Sequence, residues 1–235
     1  MQRHVEVDLS RLAAMLLMAV YHLAFDLMYF YGWQIDMEQI GWKILQRITV
    51  SLFLVIVGVS GVLIHQRKAG VGKFFRRFLT IGAAALMISL VTYLIDPQSF
   101  IRFGVLHCIA VSMLILPFVL RLGVWNVLPG IGILLLPMWI GTATSGTELL
   151  LPFGLMPSGF STLDFVPLFP WLGVILIGCA LGHALYVKEW MREIKRVPRW
   201  MERTSVAGRY SLSFYLLHQP VMMGMLILIL GKPHF

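Results

Sequence analysis

Charge is scarce in this chain of 235 residues: Asp, Glu, Lys and Arg together make up 13% of it. A soluble domain carries about 25%. Apolar residues reach 59% and the mean hydropathy is +0.83. These values exclude an ordinary soluble globule and a disordered chain alike. Cysteine is nearly absent. Cys108 and Cys179 both sit inside apolar runs with no C-x-x-C spacing, so neither a disulfide scaffold nor a metal site is expected. Acidic residues are outnumbered 11 to 19, for a net charge of +8. The basic residues cluster between apolar runs, which reads as membrane orientation and not as nucleic-acid binding. Internal repeats, low-complexity tracts and an appended soluble domain are all missing, so residues 1–235 read as one domain. The first apolar run is long enough to span and lacks a small-residue cleavage site, so it reads as a retained helix and not a signal peptide.

What the sequence does have is apolar runs of spanning length. Crossing the ~30 Å hydrocarbon core takes roughly 20 apolar residues as a helix. Seven runs qualify: Leu9–Tyr31, Ile44–Ile64, Phe78–Ile95, Phe103–Leu120, Val124–Ile140, Leu168–Val187 and Tyr210–Leu230. Strand alternation is absent, and lipid admits only helices or closed barrels. The expected fold is therefore an all-α polytopic membrane bundle of about seven transmembrane helices. Lys and Arg concentrate in alternate connections: Arg67–Arg77, Arg121, and Lys188–Arg209. The connections at 32–43, 96–102 and 141–167 carry few or none. That places the N-terminus in the cytoplasm and the C-terminus outside. The segment KEWMREIKRVPRWMER reads as an interfacial basic helix interrupted at Pro198. Gly178 and Gly182 form a G-x-x-x-G in the sixth run, suited to close helix packing.

Ionisable groups inside a span are costly and mark function. On the first span, VDLSRLAAMLLMAVYHLAFDLMYFYGW, the residues Asp8, Arg11, His22, Asp26 and Tyr29 fall within an arc of roughly 60°. Asp8 as a helix cap and Arg11 as a snorkelling anchor are the plain alternatives. His22 lies roughly 20 Å into the bilayer, with Asp26 one turn further on. A carboxylate there would fix the imidazole tautomer and stabilise imidazolium, as a general base requires. The alternative is a structural His–Asp hydrogen bond. On the last span, GRYSLSFYLLHQPVMMG, Ser211, Tyr215 and His218 share one face. His218 is a second catalytic candidate, or a histidine that ties helices together. His107, one turn inside the outer end of the fourth span, suits acceptor binding or packing equally.

The segments VDLSRLAAMLLMAVYH, FGVLHCIAVS, DFVPLFPWLGVILIGCALG and GRYSLSFYLLHQP together resemble the heparan-alpha-glucosaminide N-acetyltransferase catalytic-domain family, especially its small bacterial members. The wider superfamily includes bacterial O-acyltransferases with an Arg or Lys, ten intervening residues and a His; Arg11 and His22 match that spacing. The resemblance implies acetyl-CoA, or a related thioester, as cosubstrate from the cytoplasm, with no tightly bound cofactor. It implies a saccharide amine or hydroxyl as acceptor on the outer side of the cell (inner) membrane. Arg11, Asp8, Tyr215 and Ser211 would hold the donor. His22, Asp26 and His218 would serve the transfer, and His107, Asp164 and Trp171 the acceptor. Membrane lipid is the remaining partner, and a homodimer is left open. The lysosomal enzymes carry a catalytic histidine in the first outer loop, whereas GWQIDMEQIGWK has none, so the base differs here. A small proton-coupled transporter would use the same buried His, Asp and Arg as a relay, but no inverted repeat or matched pair of interrupted helices is present. A catalytically silent scaffold would tolerate loss of His22.

Overall fold

The computed structural model describes residues 4–67, 70–140, 146–187 and 198–233. Eight α-helices follow in chain order: α1 Val5–Tyr31, α2 Ile40–Gln66, α3 Val71–Ile95, α4 Val105–Val119, α5 Val127–Ile140, α6 Leu168–Tyr186, α7 Arg199–Gly208 and α8 Ser211–Leu230. Apart from two short 3-10 segments and one bridge pair, Phe103–Phe165, regular structure among the described residues is helical. The chain is a polytopic all-α membrane protein. Several helices outrun their apolar runs. α3 starts at Val71 and takes in Lys73, Arg76 and Arg77, because charged residues do not end a helix; caps and left-handed glycines do. α1 illustrates such a stop. Gly32, at φ 67°, turns the chain, and its N–H and that of Trp33 bond back to the Met28 and Leu27 carbonyls.

Six stretches among the described residues are long and apolar enough to cross a membrane, one of them the 32-residue Val105–Leu136. That stretch is not one rod. Gly123, at φ 58° and ψ −129°, breaks it into α4 and α5. Fully buried Asn126 staples the break, its amide nitrogen donating to the Val119 and Gly123 carbonyls at 3.0 and 2.8 Å. The two legs run in opposite directions along α6. Cys108 at the start of α4 lies by Pro167 at the start of α6, and Gly123 lies by His183 at its end. From there α5 returns, bringing Gly130 against Gly173 and Ile177. Each apolar run of the sequence thus has its own helix: α1 to α6, and α8.

The chain divides into two compact units, Met1–Phe53 with Ile194–Phe235, and Leu54–Glu193. In the second unit α6 is packed through glycine on two sides. A Cβ on Gly58 or Gly178 would collide with the backbone of Ile175 or Val55, so α2 and α6 touch main chain to main chain. Gly130 and Gly173 make the matching contact between α5 and α6. α3 packs on α4 and leaves Leu86, Leu90 and Leu94 exposed, a face suited to lipid.

In the first unit α1 contacts both α7 and α8. α7 follows Pro198 and turns Met201, Ser205 and Gly208 inward, leaving Arg199, Trp200, Glu202 and Arg203 exposed. Its expected continuation over 188–197 lies outside the described residues. Gly208 has no room for a side chain because the Asp8 carbonyl occupies that space. At the other end the Tyr31 hydroxyl donates to the Gly231 carbonyl at 3.0 Å. α1 and α8 therefore run side by side in the same direction.

Candidate functional site

The parallel course of α1 and α8 brings His22 and His218 together, their ring centroids 4.9 Å apart and edge to face at 74°. The sequence leaves them as separate candidates on separate spans; the structure places them at one level. Each ring is pinned through Nδ1. His22 Nδ1 donates to the Met18 carbonyl at 2.9 Å and His218 Nδ1 to the Tyr215 carbonyl at 2.7 Å. A carbonyl only accepts, so both Nδ1 atoms carry a proton, and in each neutral ring Nε2 holds the lone pair. His218 Nε2 is buried and has no hydrogen-bond partner among the described residues. Two full charges about 5 Å apart would repel by about 3 kcal/mol even at an effective dielectric of ~20.

The expected pairing of His22 with Asp26 is not formed. Side chains on a helix lean toward its N-terminus, so His22 reaches back to Met18 and away from Asp26. Asp26 is fully buried, and its Oδ1 accepts from Gln219 Nε2 across the helix pair at 2.8 Å. Asp26 Oδ2 and Gln219 Oε1 are left without partners among the described residues. Periodicity did not point to Gln219, because consecutive helical residues face ~100° apart and His218 defined the polar face. Its spacing of four from Tyr215 was the available signal. Tyr29, the last member of the α1 stripe, is exposed and stacks on Phe25.

Toward the start of α1, Arg11 Nη1 donates to Asp8 Oδ1 at 2.8 Å, and Arg209 Nε stands 4.0 Å from Asp8 Oδ2. One carboxylate thus faces two guanidiniums and leaves a net positive charge where α1 meets the α7–α8 junction. Ser211 and Tyr215 are half-buried on α8, the Tyr215 ring 5.7 Å from that of His218.

The proposed acceptor residues lie in the second unit, and two of them are spent on the fold. His107 Nδ1 accepts from the Gly104 N–H at 3.2 Å, so its proton sits on Nε2, 3.2 Å from Ser89 Oγ. Ser89 in turn donates to the Ile101 carbonyl at 2.6 Å. Both nitrogens are occupied, the reverse tautomer to His22 and His218, and His107 ties α3 to the start of α4. Asp164 Oδ2 accepts from Val105 N–H at 2.9 Å, capping α4 from 59 residues away. Gly104 leaves the space for that carboxylate. Burial pushes the Asp164 carboxyl up to about 6, although the N–H groups of Val105 and Phe165 favour its charged form. Trp171 is half-buried in the first turn of α6.

The Asp164 cap carries a pH signature. A carboxyl with its folded pKa raised from 3.8 to about 6 binds more protons folded than unfolded across that window. Its contribution to stability is then fully present below about 4 and lost as pH rises to about 6. Thermal unfolding of Asp164→Asn should lack that decline; a slope equal to wild type across the window would remove Asp164 as its source.

No group of three or more His, Cys, Asp or Glu with metal-holding geometry occurs among the described residues. A model of the family described as "Heparan-alpha-glucosaminide N-acetyltransferase, catalytic" matches residues 3–220. No curated protein and no solved structure matches significantly.

Proposed function

Because the chain belongs to the heparan-alpha-glucosaminide N-acetyltransferase catalytic-domain family, we propose that it moves an acetyl group from cytoplasmic acetyl-CoA to a saccharide amine or hydroxyl across the cell (inner) membrane. The observation that carries this reading is the pair of pinned imidazoles with Nε2 lone pairs, one of them buried and unpartnered. His22 Nε2 takes the proton from the acceptor O–H or N–H as its lone pair attacks the thioester carbon. The C–S bond breaks, and the thiolate leaves with the proton returned by the imidazolium. Nε2 is equally able to attack the thioester itself and carry the acetyl group; trapping of acetyl-protein without acceptor separates the two routes. His218 stands edge to face beside His22, its ring centroid 4.9 Å away. Buried Asp26 supplies the negative charge that an imidazolium needs in a low dielectric, through space and not through a hydrogen bond. Arg11, held by Asp8, contributes charge-assisted bonds to the donor's phosphates. Ser211 and Tyr215 line the way to the imidazoles. Trp171 remains an acceptor contact, whereas His107 and Asp164 act by shaping the outer loops.

The test is incubation of the purified protein with labelled acetyl-CoA and a panel of cell-envelope glycans. Label on a glycan supports the reading. Absence of transfer together with solute uptake in proteoliposomes would replace it with transport.

The sidedness is checked separately. Cys108 and Cys179 are both fully buried and give little background to an impermeant thiol reagent. Exposed Ser158, replaced by Cys, should be labelled from outside intact cells, and exposed Lys73→Cys only after permeabilisation. The reverse pattern would overturn the cytoplasmic donor side.

A further inference from the structure

Burying Asp26 completely costs several kcal/mol unless its oxygens find donors. One oxygen finds the Gln219 amide; the other finds nothing among the described residues. We propose that Gln219 is a positioning residue, whose amide holds the Asp26 carboxylate in one orientation, with Oδ2 left free one turn from His22. This rests on the transfer reading given above and deepens it.

An ionised carboxylate only accepts, so the amide must turn its nitrogen to Asp26, which leaves Gln219 Oε1 bare. Three acceptor atoms, Asp26 Oδ2, Gln219 Oε1 and His218 Nε2, are then buried without donors among the described residues, in the same stretch of α1 and α8. A fold that needed only a clamp between two helices would satisfy these atoms or replace them with apolar ones, since a half-satisfied polar cluster is less stable than either. Such an arrangement persists where a charge is used. During transfer the proton taken from the acceptor resides on an imidazole, and a carboxylate already fixed in place stabilises that charge without reorganising. Gln219 does the fixing. It lies on α8, immediately after His218, and so sets the carboxylate relative to both helices that carry the rings.

Two variants test this in the purified chain of 235 residues. Gln219→Met keeps the length and volume but removes the amide. The kcat should fall roughly 10- to 100-fold, as for a misplacement on the order of 1 Å, while the KM for acetyl-CoA stays at the wild-type value. The second variant, D26N with Q219E, exchanges carboxylate and amide between the helices. It re-forms the hydrogen bond, so the thermal midpoint lost in Gln219→Met should return. Its kcat should stay low, because the charge has moved to α8 and points ~100° away from the direction of His218. Wild-type kcat in Gln219→Met would overturn the proposal. So would recovery of both midpoint and kcat by the exchange, which would make the pair a clamp and nothing more. A wild-type chain that transfers no acetyl removes the transfer reading and the positioning role with it. The thermal midpoints would then still report whether Gln219 and Asp26 pair.

Discussion

Replacing His22 by alanine is expected to lower turnover by roughly 10²–10⁴-fold, the contribution of a general base, and to leave acetyl-CoA binding intact. The separation follows from the length of α1. Arg11 lies 11 residues before His22, about 16 Å along the helix axis. The imidazole can therefore be removed without touching the residues assigned to the donor's phosphates. His218→Ala should cost less, because His22 keeps its own Nδ1 bond to Met18 and its own Nε2 lone pair. Single-turnover assays with labelled acetyl-CoA, run beside equilibrium binding, decide the matter. Full turnover in His22→Ala with loss in His218→Ala would move the base from α1 to α8.

Gly178→Leu should prevent accumulation of a folded, monodisperse protein. At Gly178 a Cβ alone would overlap the Val55 backbone, and Gly58 makes the reciprocal contact with Ile175. Overpacking a core with side-chain atoms costs about 1–3 kcal/mol where neighbours can yield. Here the obstacle is main chain on a packed helix, which cannot yield without separating α2 from α6. Gly224, on α8, has nothing within 4 Å of the same position and is the control. Gly224→Leu should purify like wild type. Fluorescence-detection size-exclusion chromatography distinguishes the two, and equal monodisperse yields would discount the glycine contact.

The sequence made the helices readable because lipid leaves few alternatives, and helical periodicity put Asp8, Arg11, His22 and Asp26 on one side of α1. Periodicity names a face, however, and not the neighbour it meets. That His22 would meet His218 depends on α8 lying beside α1, a contact between residues nearly two hundred positions apart. The same gap explains Asp26, whose carboxylate lies one turn along α1 from His22 but bonds to Gln219 on α8. His107 and Asp164 looked like functional groups for a related reason. A histidine and an aspartate near a span end are open to ligand unless partners close them. The partners, Ser89 and Val105, became visible only with the packing of α3 and α4 and of the loop that precedes α6.

The common direction of α1 and α8 also fixes a parity. A chain changes sides with each pass through a bilayer, so two helices that point the same way must have an odd number of passes between them. With each of α2, α3, α4, α5 and α6 crossing once, the passes between them are five. Were α4 and α5 a single crossing, the count would be four and α8 would have to point the other way. α7, at 10 residues, is about 15 Å long and too short to alter the count. With α4 and α5 as separate crossings, the turn at Gly123 keeps α8 parallel to α1. An insertion that straightened this turn into continuous helix would invert α8 and carry its histidine away from α1, and reporters fused before α1 and after α8 would then read the same side.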